Sequence, residues 1–218
     1  MPGRRNVVAA APTVAPVRSR LHSHGLGFRV AQLFGGLTLF GISIGLLVRA
    51  RLGLDPWDVL HQGLAQRTGL QIGWIVDIVG ALLLLAWIPL RQKPGVGTLA
   101  NVVVVGVVAN VALVFVPTPG LLAAQVIFLV AGVIANGVAT GLYIGAGLGP
   151  GPRDGLMTGL RHRGLSIRRA RTMIELGVLG AGFALGGTVG VGTVVYAVSI
   201  GPLAAFFIPK FSSRRHTY

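Results

Sequence analysis

The sequence predicts an all-α integral membrane protein: six transmembrane helices arranged as two inverted-topology three-helix repeats. Three observations lead there. Of 218 residues, 53% are hydrophobic and only 11% charged, with a mean hydropathy of +0.76, far from the balance of a soluble domain. Six apolar runs approach the roughly 20 residues a helix needs to cross a hydrocarbon core: Phe28 to Val48, Ile72 to Leu90, Gly97 to Val116, Leu121 to Ala146, Arg171 to Gly187 and Gly190 to Pro209. Finally, the stretch LGLDPWDVLHQGLAQRTGLQI at Leu52 to Ile72 returns as LGPGPRDGLMTGLRHRGLSI at Leu148 to Ile167.

The repeat is detailed. At a constant offset of 96, eight of the sixteen positions from Leu52 to Arg67 are identical in the second copy: Leu52/Leu148, Gly53/Gly149, Pro56/Pro152, Asp58/Asp154, Leu60/Leu156, Gly63/Gly159, Leu64/Leu160 and Arg67/Arg163. One deletion moves the offset to 95, so that Gly69, Leu70 and Ile72 meet Gly164, Leu165 and Ile167, and Gly95-Val96-Gly97-Thr98 recurs as Gly190-Val191-Gly192-Thr193. Upstream, Gly41, Gly45 and Leu46 fall on Gly137, Gly141 and Leu142. The chain therefore divides into a basic, disordered tail at 1–27, repeat one at 28–116, repeat two at 121–211 and a basic C-terminal tail at 212–218. Three spans per copy is an odd number, so the second copy runs upside down relative to the first. Lipid leaves no backbone group unpaired, and the alternation of an outer-membrane barrel is missing, so the spans are helices.

A pI of about 12.0 in a soluble chain would suggest nucleic acid, but the placement of charge points to a membrane. With the amino terminus inside, sixteen basic residues lie inside: Arg4, Arg5, Arg18, Arg20, Arg29, Arg91, Lys93, Arg153, Arg161, Arg163, Arg168, Arg169, Arg171, Lys210, Arg214 and Arg215. Only three, Arg49, Arg51 and Arg67, lie outside. This is the positive-inside pattern for a cell-membrane protein with both termini cytoplasmic. No aromatic-interleaved basic module accompanies the charge, so nucleic acid is not expected as a partner. The amino-terminal apolar patch at Val7 to Ala11 is too short and Pro-interrupted for a cleaved signal. There is no cysteine, which excludes disulfides and thiolate chemistry.

Gly41-Ile42-Ser43-Ile44-Gly45 spells the GxSxG of a hydrolase elbow, yet it lies inside a membrane helix where that strand-turn-helix context is absent, and its serine meets Ala139 in the repeat. Gly41/Gly45 and Gly137/Gly141 read better as faces on which helices approach closely. After the first span, Gly53 is expected to end the helix, and Pro56 to open a short new one, lying at the interface or re-entering the membrane. Asp55 is placed to cap that helix and Asp58 to sit in its first turn. Pro152 opens the equivalent helix, where Gly151 replaces Asp55 and Asp154 remains. Gly53, Pro56, Gly63, Gly149, Pro152 and Gly159 form the structural signature.

The chain has five carboxylates, Asp55, Asp58, Asp77, Asp154 and Glu175. Three lie in the signature and two in spans, where an ionisable group is costly and is a functional candidate. Asp58, Asp154, Asp77, Glu175, Asn110 and Asn136 are the candidate substrate- or ion-binding residues. The plainer readings stand beside these: capping for Asp58 and Asp154, an i,i+4 pair with Arg171 for Glu175, and interhelical hydrogen bonding for Asn110, Asn136 and Asn101.

The pair LGLDPWDVLHQGL and GLGPGPRDGLMTGL resembles the YczE/YyaS/YitT group of bacterial multi-pass membrane proteins, most closely its YczE-like branch, in carrying Gly, then Pro-x-Asp, then Leu twice. The resemblance spans about residues 28–210 and implies a membrane location and a fold type, without a particular chemistry. Inverted repeats recur among secondary transporters. The expected function is thus transport of a small molecule or ion; the alternative is a non-transporting scaffold or accessory factor for a membrane-associated enzyme. No nucleotide loop, metal cluster or nucleophile and base pair points to an enzyme. No cofactor or metal is expected. The bilayer and an unidentified small molecule or ion are the expected partners, and homodimerisation is left open.

Overall fold

The computed structural model describes residues 25–212. The tails expected at 1–27 and 212–218 therefore lie outside the described residues, apart from residues 25–27, which lead into the first helix, and Ser212. Among the described residues the elements are helices, with no strand: α1 (Leu26–Ala50), α2 (Pro56–Thr68), α3 (Ile72–Trp87), α4 (Val96–Phe115), α5 (Leu122–Gly145), α6 (Pro152–His162), α7 (Ile167–Ala184) and α8 (Val191–Phe211).

Four of these, α1, α4, α5 and α8, are each long and apolar enough to cross a membrane, and α2 with α3 forms a pair bent by 113° that counts as a fifth span when taken together. Six independent spans were expected. α3 is shorter than its run because the helix stops at Trp87 and residues 88–91, Pro89 and Leu90 among them, form a turn. α7 opens at Ile167, before the expected Arg171, and its first turns carry Arg168, Arg169, Arg171 and Glu175. Three arginines in its first five residues set it apart from the other long helices.

Sequence periodicity explains the burial. On α4, Leu99, Val103, Val107, Val111 and Val114 lie exposed on one face, whereas Val105, Ala109 and Ala112 are buried on the other. So large an apolar outer surface is what lipid-facing helices present. α1 and α5 pack side by side as the central pair. Around one part of it Leu33, Leu37 and Ile44 gather with Val105, Ala109 and Tyr143; around another, Leu47, Leu129 and Val133 gather with Val59, Tyr196 and Ile200.

The repeated residues make repeated contacts. α1 packs on α4 as α5 packs on α8, and α2 packs on α7 as α6 packs on α3. The small-residue faces work as expected: a Cβ at Gly41 or Gly45 would lie 2.7 Å from Val108 or Ala112, and one at Gly137 or Gly141 would lie 2.7 Å from Leu203 or Phe207. The Gly-Val-Gly-Thr runs open α4 and α8, each docking on the opposite copy. Gly97 N–H donates to Leu148 O at 2.9 Å, and Gly192 N–H donates to Leu52 O at 2.7 Å. Thr98 and Thr193 accept from the N–H groups of Gly95 and Gly190 at 3.1 and 3.2 Å, closing the first turns. α1 itself ends at Ala50 with Arg51 in the left-handed region, slightly before the stop expected at Gly53. Gly53 and Gly149, at φ 111 and 128, instead form the docking platforms. A Cβ there would stand 2.6 Å from Gly190 N or 2.8 Å from Thr98 Oγ1.

Candidate functional site

α2 and α6 begin at their prolines because a missing N–H is harmless at a first helical position. At α2, the Asp55 Oδ1 accepts from the N–H groups of Trp57 (2.8 Å) and Asp58 (3.0 Å), a capping arrangement. At α6 no side chain is available at Gly151, and Asp154 takes over: its Oδ2 accepts from Gly151 N–H at 3.2 Å and from the Tyr143 hydroxyl at 2.6 Å. The Trp87 indole donates to Pro152 O at 3.0 Å and holds the start of α6 against α3. Gly63 and Gly159 let the two short helices lie close to their supports, Gly63 against Gly182 and Leu185, Gly159 against Leu90 and Gln92.

These starts bring the two signature helices tip to tip. Arg153, from the first turn of α6, reaches the first turn of α2, with Nη1 3.8 Å from Asp55 Oδ1 and Nη2 3.6 Å from Asp58 Oδ1. Its guanidinium carbon stands 5.1 Å from the centre of the Trp57 ring, within cation–π range. Trp57 and Arg153 occupy matching positions of the two copies, so the contact joins counterparts. Asp58 is 0% exposed and its Oδ1 lies 2.9 Å from Nδ1 of His61, itself 1% exposed. Asp55 is 1% exposed. The second carboxylate oxygens of Asp55 and Asp58, and the Trp57 indole N–H, are buried without a hydrogen-bond partner.

Beside this junction is a cavity of about 240 Å³ lined by both halves of the chain. Asp55, Trp57, Arg153, Asp154, Tyr143 and Tyr196 contribute its polar and aromatic wall, with Phe40 and Val105 among the apolar side chains. The carboxyls of Asp55, Asp154 and Glu175 line it together with the guanidinium groups of Arg153 and Arg171, and Asp58 lies next to it, paired with Arg153. Among the described residues no group of three or more His, Asp or Glu is placed to hold a metal ion.

The sequence candidates divide in two. Asp58 and Asp154 converge on the junction. Asn136 lines the cavity, its Nδ2 donating to Ser43 Oγ at 2.9 Å while its Oδ1 accepts from the Tyr196 hydroxyl at 3.0 Å. Ser43 is thereby fixed inside α1 as part of a buried network. Glu175 lines the cavity too, paired with Arg171 at 2.7 Å. Asp77 and Asn110 do not join them. They serve the α3–α4 crossing, where Gly106 N–H donates to Asp77 Oδ1 at 3.0 Å and Gly73 N–H donates to Asn110 Oδ1 at 2.9 Å. Arg153, Trp57, His61, Tyr143 and Tyr196 were not singled out from the sequence. Arg153 reads there as one more loop arginine, yet its side chain is only 22% exposed; the signal was its position, matched to Trp57 in the repeat.

Residues 27–209 match the Family of unknown function (DUF6198). The chain belongs to this family. It is 40% identical over 180 residues to an "Uncharacterized protein" of Haemophilus influenzae, covering 82% of this chain and 83% of the relative. It is 33% identical to the "Uncharacterized membrane protein YczE" of Bacillus subtilis (81% and 84% covered) and 28% identical to the "Uncharacterized protein YyaS" of the same organism (80% and 89%). The expected resemblance to YczE and YyaS is thus met over most of the chain, and with several apolar helices the protein is a multi-pass membrane protein. No solved structure matches it.

Proposed function

We propose that the protein is a secondary transporter of a small molecule or ion in the cell membrane, built from two inverted halves of three spans each, with both termini cytoplasmic. One observation carries this reading. The Pro-initiated helices of the two halves meet tip to tip at a cavity that neither half lines alone. In inverted-repeat transporters the substrate site lies where interrupted helices of the two halves face each other near the bilayer midplane. Here α2 and α6 act as re-entrant elements entering from opposite sides. The paired contacts of α4 and α8 with the opposite signature support a pseudo-two-fold relation, and the sixteen-to-three division of basic residues supports the orientation. Rocking of one half against the other around the junction would expose the cavity to each side in turn.

The test is transport by purified protein in proteoliposomes, with substrates chosen by uptake and efflux profiling of a deletion strain. Accumulation that requires the protein and is lost on dissipating the ion gradients supports the reading. A deletion phenotype without protein-dependent flux of any profiled compound refutes it and leaves the accessory-factor alternative.

A further inference from the structure

Asp55, Asp58 and Trp57 surround Arg153 in the way binding sites surround a free organic cation, with an aromatic face on one side and carboxylates on the other. Yet Arg153 fills the arrangement poorly. Its nitrogens stop 3.6 and 3.8 Å from the carboxylate oxygens, beyond the roughly 2.7–2.9 Å of a charge-assisted hydrogen bond. Among the described residues no other residue gives the Oδ2 atoms of the two aspartates a donor, the neighbouring carboxyls having only each other, and the Trp57 Nε1–H is buried without an acceptor. Asp55 and Trp57 both line the cavity, so the Asp55 carboxyl and the ring lie on its wall, with Asp58 next to Trp57 in the first turn of α2. Buried acceptors without donors are costly. Positive charge bearing N–H groups is the chemistry that would satisfy the two carboxyls, and the aromatic lining of Trp57, Tyr143 and Tyr196 favours an organic cation over a strongly hydrated ion.

We infer that Asp55, Asp58 and Trp57 form a subsite for a small guanidinium- or ammonium-bearing substrate, and that Arg153 occupies it as a tethered stand-in which the substrate displaces. The inference deepens the transport reading and rests on it for the use made of the displacement. Arg153 comes from the second half and the aspartates from the first, so the pair latches the two halves across the junction. A free cation that takes the aspartates releases the latch, which ties occupancy of the cavity to the rocking that transport requires.

The probe is methylguanidinium, with N-methylurea as a neutral compound of similar shape, titrated into full-length protein in nanodiscs at constant ionic strength by calorimetry and melting temperature. Wild type should bind methylguanidinium saturably and N-methylurea not at all. Arg153→Ala should bind it about tenfold more tightly, the gain expected when a competing side chain holds the site nine-tenths of the time. The Asp55→Asn/Asp58→Asn double variant should lose saturable binding. Should Arg153→Ala not fold, the wild-type titration against the double variant decides alone. Equal responses to the two probes, or binding unchanged in the double variant, overturn the inference. Binding without flux into proteoliposomes would leave the cation subsite standing and remove its role in transport. Transport of an uncharged or anionic compound that methylguanidinium neither binds beside nor inhibits would do the reverse.

Discussion

Gly53→Ala and Gly149→Ala should be severe although each adds one methyl group. Both positions hold positive φ, 111 and 128, which costs a non-glycine residue on the order of 1–3 kcal/mol. Each new Cβ also meets atoms with little freedom to move, Gly190 N at 2.6 Å in one case and Thr98 Oγ1 at 2.8 Å in the other, and overpacking of this kind costs another ~1–3 kcal/mol. The sum is roughly 2–6 kcal/mol, and at ~2–4 °C per kcal/mol for a chain of this size the melting temperature should fall on the order of 10 °C. Gly177→Ala and Gly180→Ala are the controls. They lie in α7, where a Cβ meets nothing within 4 Å, and removing a helical glycine there should stabilise by about 0.5–1 kcal/mol. The assay is thermal unfolding of detergent-purified protein followed by circular dichroism and size-exclusion chromatography. Wild-type melting of Gly53→Ala, or a loss in Gly177→Ala as large as that in Gly53→Ala, would refute the crosswise docking argument.

Gly45→Leu and Gly141→Leu should each lower the yield of folded protein, because the added side chain collides with Ala112 or Phe207; wild-type stability of both in detergent would show that the faces do not carry packing. Asp58→Asn and Asp154→Asn keep size and an acceptor oxygen, so each should cost only about 1 kcal/mol in thermal unfolding while abolishing transport, and a variant carrying both together with Asp77→Asn that fully complements a deletion strain would sink the functional role. Asp77→Asn alone should melt near wild type because it still accepts from Gly106, whereas Asp77→Ala should lose about 1 kcal/mol. A cysteine at Gln62 should react with an impermeant thiol reagent on intact cells and one at Thr158 only after permeabilisation; labelling of both from one side would rule out inverted halves.

Much of this architecture could be read from letters, and the reason is physical. Duplication leaves identities wherever a position tolerates one residue, so Gly53/Gly149, Pro56/Pro152 and the Gly-Val-Gly-Thr runs stand out against drifting apolar neighbours. The start of α2 was legible because a proline preceded by an acid has few other uses, and Asp55 caps α2 as that spacing requires; α6 was legible from Pro152 and the repeat, with Gly151 at its cap. What a repeated motif does not disclose is which copy it touches. Gly97 contacting Leu148, and not Leu52, is a matter of three-dimensional closure that no local pattern encodes. Charge was harder still. Arg153 resembles the loop arginines around it until the chain folds it under Trp57, and Asp77 looks like an intramembrane binding group until the close approach of α4 brings a backbone donor to it. The α7 boundary was missed because three arginines resemble a loop more than the opening turns of a helix.

The two equivalent seams of the fold are filled in opposite ways. At one, Trp87 spreads over Gly155, so that any Cβ at 155 would overlap its ring. At the other the matching positions are reversed in size, and Gly182 lies against the backbone of Val59 and Leu60. Two copies of the first half would bring Trp87 against Val59 and collide, while two copies of the second would set Gly182 against Gly155 and leave a hole. As the seams stand, each half fits the other better than it would fit a second copy of itself, so the two halves expressed as separate chains should associate with each other and not with themselves.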